Sequence, residues 1–336
     1  MILGAETRSA SPGSHPPKHA KAHRTCRGPN HTARALARAA RLTCFCFLAC
    51  LMLIVSPAPA QPRLVDLINA DRPLVIAHRG YSGLAPENTL PAFELALAVG
   101  ADLVELDTHP SRDGVPMVIH DATLDRTTDA VERWGRKQIP VNAHTAAELQ
   151  TLDAGRWFHA RYAGTRLPTL REALETVRAV GGRVLIECKV GDPDVLAALL
   201  QTTRFTDDVV VQSFNWEFLH HFHARAPEVV LGALGPPSRL VDGSTPVGLS
   251  GTLNERWLRE ARRLGARVVV WDQKQLSRTA VNTAVEQGFR VWAYTANTPE
   301  QFERLLALGV HGIITDHPAR LWRLLALRRP APARDP

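Results

Sequence analysis

From residue 74 onward the chain keeps a rhythm that leaves few folds open: short apolar runs rich in β-branched residues alternate with longer stretches of helical periodicity. Parallel strands need a crossover of about a dozen residues between them, so this alternation is the pattern of a parallel sheet covered by helices. Eight runs read as strands: Leu74–Ala77, Leu103–Asp107, Val184–Glu187, Val209–Ser213, Val229–Leu234, Arg267–Trp271, Arg290–Thr295 and Gly312–Thr315. Helices are predicted over Thr89–Val99, Leu170–Val180, Pro193–Gln201, Trp216–Ala226, Asn254–Leu264, Arg278–Gln287 and Pro299–Leu308, with a last one at Trp322–Arg328. Several end at a glycine, the residue that most readily takes the left-handed conformation closing a helix. Eight strands with a helix after nearly every one imply an α/β fold closed as a (β/α)8 TIM barrel rather than an open sheet. At 336 residues and 45% apolar content, the chain can bury a core of that size.

One run breaks the rhythm. Pro116–His120 follows the second strand too closely for a crossover, while Asp113-Gly114 is a strong two-residue turn signal. If those two residues form the turn, positions summing to 227 face each other, and His120 lies opposite Asp107. The second strand would then project past the barrel top and return an imidazole to its mouth. Residues 121–168 show no clear strand and are too long for a bare loop, which predicts a small insertion subdomain over the mouth. Trp134, Trp157 and Phe158 are expected to pack it down or to line the substrate entrance.

The first 60 residues differ from the rest. They hold eight Lys or Arg and one acidic residue, then the apolar run Cys44–Val55 and Ala58-Pro59-Ala60. Twelve apolar residues are few for a membrane span but match a secretory segment, and the small-x-small pattern predicts cleavage after Ala60, so an exported protein is expected. A lipoprotein reading through Cys50 fits less well, because that cysteine precedes most of the apolar run. Beyond residue 60 the chain carries 32 basic and 32 acidic residues, which removes the charge argument for a nucleic-acid partner. Cys188 is the only cysteine beyond residue 60, so no disulfide can form there, and its apolar surroundings predict a buried, inert thiol. The remainder from residue 321 reads as the end of a helix and a tail.

Polar residues cluster at predicted strand ends, where a barrel places its active site. The first strand ends in His78-Arg79, the second carries Glu105-Leu106-Asp107, and the third barrel strand gives Glu187-Cys188-Lys189. A period of two puts Glu105 and Asp107 on one side. Three carboxylates converging there repel one another unless a cation is present, and hard oxygen ligands suit Ca²⁺ or Mg²⁺. Such a metal polarises a phosphate, Arg79 and Lys189 balance charge on its oxygens, and His78 and His120 move protons as a general acid/base pair. That set suits phosphodiester cleavage. His109, His144 and His220-His221-x-His223 lie outside the strand-end pattern and read as surface residues.

The sequence resembles the glycerophosphodiester phosphodiesterase family in its exported bacterial form. The resemblance rests on His78-Arg79-Gly80-Tyr81, Ala85-Pro86-Glu87-Asn88-Thr89, Glu105-Leu106-Asp107, Asp113-Gly114, His120-Asp121, Leu124-Asp125-Arg126-Thr127-Thr128, Glu187-Cys188-Lys189, Gln212-Ser213-Phe214, Trp292–Asn297 and Gly312–Pro318. It implies a TIM barrel with an inserted subdomain that hydrolyses glycerophosphodiesters to sn-glycerol 3-phosphate and an alcohol. By matching motifs, His78 and His120 correspond to the acid/base pair, Glu105, Asp107 and Glu187 to ligands of the divalent metal, and Arg79 and Lys189 to phosphate contacts. Glu87 is expected near the same mouth, and Trp292 either shapes the glycerol pocket or packs the core. The runner-up is a phospholipase C- or D-like cleavage of lysolipids or phospholipids, with transient contact to a membrane surface. A non-catalytic exported binding protein is disfavoured, because a binder needs no histidine pair.

Overall fold

The structure is a computed structural model that describes residues 63–328. The predicted leader, Cys50 and the Ala60 cleavage site lie outside the described residues, as does the tail beyond residue 328. Eight parallel strands form the barrel: β1 (Leu74–Ala77), β2 (Leu103–Pro110), β4 (Val184–Cys188), β5 (Val209–Ser213), β6 (Val230–Gly235), β7 (Val268–Asp272), β8 (Arg290–Tyr294) and β9 (Gly312–Thr315). Each pairs with the next around the ring, and β9 and β2 both pair with β1, which closes it.

Along the strands, side chains alternate between two cores, as a period of two requires. Val75, Val104, Ile186 and Val211 pack outward against the helices, while Leu74, Ile76, Leu103, Leu185 and Val210 fill the barrel. Leu64 and Ile68 of α1 (Leu64–Ile68) join the interior cluster. The outer shell comprises α2 (Leu90–Ala98), α5 (Leu170–Ala179), α6 (Pro193–Thr203), α7 (Trp216–Arg225), α8 (Glu255–Leu264), α9 (Arg278–Glu286), α10 (Pro299–Leu308) and α11 (Pro318–Arg328), after the short α3 (Ala130–Trp134) and α4 (Ala146–Leu149) of the insertion. The amphipathic pattern of α5 is explicit: Leu170, Ala173, Leu174 and Val177 are buried, and a Thr169/Glu172 capping box opens the helix.

The expected hairpin is present, with one correction. β3 (Pro116–Val118) runs antiparallel to β2, but Thr108 faces Val118 and Pro110 faces Pro116, a register summing to 226. The turn is longer than two residues because Ser111 N–H donates to the Val115 carbonyl across Arg112-Asp113-Gly114, with Gly114 in the left-handed region at φ +78°. Ile119, not His120, therefore meets Asp107: its N–H donates to the Asp107 carbonyl at 3.0 Å. The ladder ends at Val118, so His120 reaches the mouth from the segment leaving the strand.

The stretch expected to form the insertion carries α3, α4 and two single turns of 3₁₀ helix, and its Leu124, Ile139, Leu149 and Leu167 pack with Met117 and Ile119 of the hairpin arm in a separate apolar cluster. Its aromatic residues mostly pack: Trp134 stacks on His144, Trp157 meets Phe158 edge-on, and the Trp157 indole N–H donates to the Ala154 carbonyl. No helix among the described residues is long and apolar enough to cross a membrane.

Candidate active site

The interior columns of β2, β4 and β5 turn from apolar to polar at their upper ends. Leu103 is followed by Glu105 and Asp107, Leu185 by Glu187, and Val210 by Gln212, so the chemistry stands on the barrel's own packed floor. The register sets Asp107 beside Glu187 and Glu187 beside Gln212. Oxygens of Glu105, Asp107 and Glu187 gather within 4.8 Å of one another, all three residues buried.

That concentration of charge has consequences. Burial pushes Glu105 well above the ordinary carboxylate range, and the neighbouring Asp107 and Glu187 push it further. Burial and then Asp107 raise Glu187 to about 7. Burial would raise Asp107 too, but Lys189, Arg79, His120 and the Asn88 amide together hold it down to about 2. Lys189 Nζ lies 3.0 Å from Asp107 Oδ1 and 2.5 Å from Glu187 Oε1, yet neither oxygen receives an aligned hydrogen bond. Three buried carboxylates that share one ammonium form an all-oxygen donor set still rich in negative charge, the environment a hard divalent cation satisfies, so these residues fit Ca²⁺ or Mg²⁺.

The loop after β1 is shaped around this cluster. Arg79 takes a left-handed backbone at φ +54°, which lets its N–H donate to Glu105 Oε2 at 2.8 Å. Gly80 follows at φ +80°, where a Cβ would come within 2.7 Å of the Ala92 backbone. The Arg79 guanidinium donates to Glu87 Oε1 and lies 3.3 Å from Asp107 Oδ2. Asn88 clamps Asp107 from two sides, its amide donating to Oδ2 at 2.9 Å and its carbonyl accepting the Asp107 N–H. Glu87 is shared with Arg126, whose guanidinium also grips both oxygens of Asp121.

Both histidines present themselves in the same way. His78 Nδ1 is 2.6 Å from Asp316 Oδ1, and His120 Nδ1 is 2.7 Å from Asp121 Oδ1. A carboxylate on Nδ1 fixes the ring and leaves Nε2 as the free nitrogen. Asp316 is in turn held by Ser82 and Asn297. Burial lowers His120, against the pull of Asp107 and Asp121.

His78, His120, Arg79, Glu105, Glu187 and Lys189 line one cavity of about 280 Å³. Its opposite wall is Phe214, Leu234, Tyr294 and Ile314. A larger apolar cavity of about 560 Å³ lies between the hairpin and α6, against Val190 and Leu196, away from the carboxylates. The structure thus brings together every residue expected at the mouth except Trp292, which is fully buried in the barrel interior, packed over Gly312. Trp292 sits one inward-facing position below Tyr294, and Tyr294 walls the cavity instead. His109 is also corrected: it is 8% exposed, and its Nε2 lies 3.1 Å from the His120 carbonyl. Cys188 is buried and free, its thiol pushed up to about 12 by burial. Asp121, Asp316, Asn88 and Arg126 were missed as functional partners, although each lies in a motif carrying the resemblance.

Residues 78–320 match the Glycerophosphoryl diester phosphodiesterase family. A glycerophosphodiester phosphodiesterase of Caldanaerobacter subterraneus is 34% identical over 258 residues, spanning 75% of this chain and 97% of that protein. One from Bacillus subtilis is 31% identical over 290 residues, spanning 81% and 92%. Among solved structures, an Oleispira antarctica phosphodiesterase in complex with the product sn-glycerol-3-phosphate superposes with a TM-score of 0.66 at 27% identity, covering 77% of this chain and 99% of that one. A glycerophosphodiester phosphodiesterase from Agrobacterium tumefaciens gives 0.61 at 30% identity, covering 74% and 98%. With its paired histidines, carboxylate cluster and closed barrel, the chain belongs to the glycerophosphoryl diester phosphodiesterase family.

Proposed function

We propose that the protein hydrolyses glycerophosphodiesters to sn-glycerol 3-phosphate and an alcohol, by histidine acid/base catalysis that depends on a divalent metal. The observation that carries this reading is that two imidazoles, each tethered through Nδ1 to a carboxylate, line one cavity with three buried carboxylates. One imidazole takes the proton of the incoming oxygen, and the other returns a proton to the departing alkoxide; such transfers are each worth roughly 10²–10⁴-fold. Glu105, Asp107 and Glu187 would hold Ca²⁺ or Mg²⁺, which when bound supplies Lewis acidity toward the phosphate. Lys189, with its ammonium fixed between Asp107 and Glu187, adds positive charge beside the phosphate oxygens. Arg79 is tied to Glu87 and Asp107, so it orients the carboxylates as well as facing the cavity. The apolar Cys44–Val55 run and the Ala58-Pro59-Ala60 site support export, with cleavage after Ala60; N-terminal sequencing of the secreted product beginning at Gln61 is the expected result.

The test is to incubate the purified chain with glycerophosphocholine, glycerophosphoethanolamine and lysophosphatidylcholine, with and without a chelator, and to identify the phosphorus product. Glycerol phosphate released from the first two only when metal is present is expected. Phosphocholine from glycerophosphocholine would sink the proposal. Turnover of lysophosphatidylcholine alone would favour the lipid reading, for which the exposed Leu84 and Trp157 are the supporting observation.

A further inference from the structure

We infer that Gln212 is the specificity residue for the glycerol unit and that it holds the terminal hydroxyl, the one farther from phosphorus. This rests on the proposed hydrolysis of glycerophosphodiesters. Gln212 stands at the upper end of β5, 2% exposed, and lines the same cavity as the histidines. Its Oε1 is buried with no hydrogen-bond partner among the described residues. A buried acceptor left without a donor is costly, so its persistence at the edge of a cavity points to a partner arriving from that cavity. Gly232, its register partner on β6, supports the same placement: a Cβ there would come within 3.2 Å of the Gln212 Cβ, so the glycine leaves the side chain its room.

The position explains which group that partner is. Going round the barrel, β1, β2 and β4 carry the charged residues His78, Glu105, Asp107, Glu187 and Lys189, while β6, β8 and β9 carry Leu234, Tyr294 and Ile314. Gln212 lies at the boundary of these arcs. The Tyr294 hydroxyl is already used, donating to the Gly235 carbonyl, which leaves Gln212 Oε1 as an uncommitted neutral polar atom between them. Neutral hydroxyls both donate and accept, and a primary amide offers both complements in one plane. With the phosphate among the carboxylates and cations, Gln212 sits one strand spacing from Glu187, about 4.8 Å. That matches the reach of a three-carbon unit whose chain lies against Phe214 and Leu234.

The test compares glycerophosphocholine with 2-hydroxypropyl phosphocholine, which lacks only the terminal hydroxyl, in the metal-loaded wild type and in Gln212→Met, a change of similar volume. Wild type is expected to prefer glycerophosphocholine by roughly 10- to 100-fold in kcat/KM. Gln212→Met is expected to lose that factor on glycerophosphocholine while turning over the deoxy substrate within about twofold of wild type, which also shows that the variant is folded. Equal losses on both substrates, or a wild type that does not distinguish them, overturn the assignment. So does a matching drop in metal affinity by calorimetry, which would make the amide oxygen a ligand instead. A wild type that hydrolyses neither compound overturns the proposed function itself, and the role of Gln212 with it.

Discussion

If the proposed mechanism holds, the pairing of each histidine with its own carboxylate divides the work between proton transfer and positioning. Removing the imidazole of His120 leaves Glu105, Asp107 and Glu187 in place, so His120→Ala should cut kcat by at least about 10²-fold with metal affinity nearly unchanged, read by turnover and calorimetry. Asp316 should instead reveal itself in stability. Burial would raise its carboxyl, but the His78 contact, with Asn297 and Ser82, brings it down from 3.8 to about 2. A depressed acid stabilises the fold above its unfolded value and loses that contribution as pH falls through the folded one. Between pH 5 and pH 2 wild type should therefore lose about 2 kcal/mol more than Asp316→Asn in urea unfolding; parallel curves would remove this role. At this scale the sequence was partly legible. The spacing of Glu105, Asp107, Glu187 and Lys189 is a local period of two and reads directly. The partners do not: Asp316 lies 238 positions from His78, and nothing local joins Asn88 to Asp107.

At the scale of elements, the hairpin decides where His120 stands. Its position rests on two hydrogen bonds, from Ile119 N–H to the Asp107 carbonyl and between His109 Nε2 and the His120 carbonyl. Burial lowers the His109 pKa, which favours the neutral ring with its Nε2 proton donated to that carbonyl. His109→Leu keeps the apolar packing and removes the bond, so kcat should fall roughly 10-fold with little change in KM, since a small displacement of a reacting group is costly. A variant with wild-type kcat would show that the strand alone suffices. The sequence located this hairpin but misjudged its register by one residue. Asp113-Gly114 suggests a two-residue turn as readily as the end of a three-residue one, and only the Ser111 to Val115 bond distinguishes them. Trp292 was ambiguous for a related reason: alternation gives the face of the strand but not the height at which the barrel floor ends.

For the whole molecule, the carboxylate cluster joins β2 to β4, so a metal held there would bind within the closed ring itself. A cation that binds only the folded chain stabilises it by mass action, about 2.7 kcal/mol at 100 times Kd. For a domain of this size that should raise Tm by about 5–10 °C, and Glu187→Gln should abolish most of the rise in a calcium or magnesium titration. An unchanged Tm in wild type would argue that the carboxylates serve only Lys189 and Arg79. The architecture was the most legible level of all, because eight apolar runs separated by helix-length segments admit few closed arrangements. The insertion could be bounded from sequence but not folded, since its own small core draws on scattered residues such as Leu124, Ile139 and Leu167.

The separation of charged strands from apolar ones around a single ring also bears on how such a scaffold can change. Phe214, Leu234 and Tyr294 rise from strands that supply none of the ionic groups at the mouth. Variation at these tips could redraw the shape of the accepted molecule while the machinery across the barrel stays intact, so a randomised library confined to these three positions is the natural place to seek new selectivities.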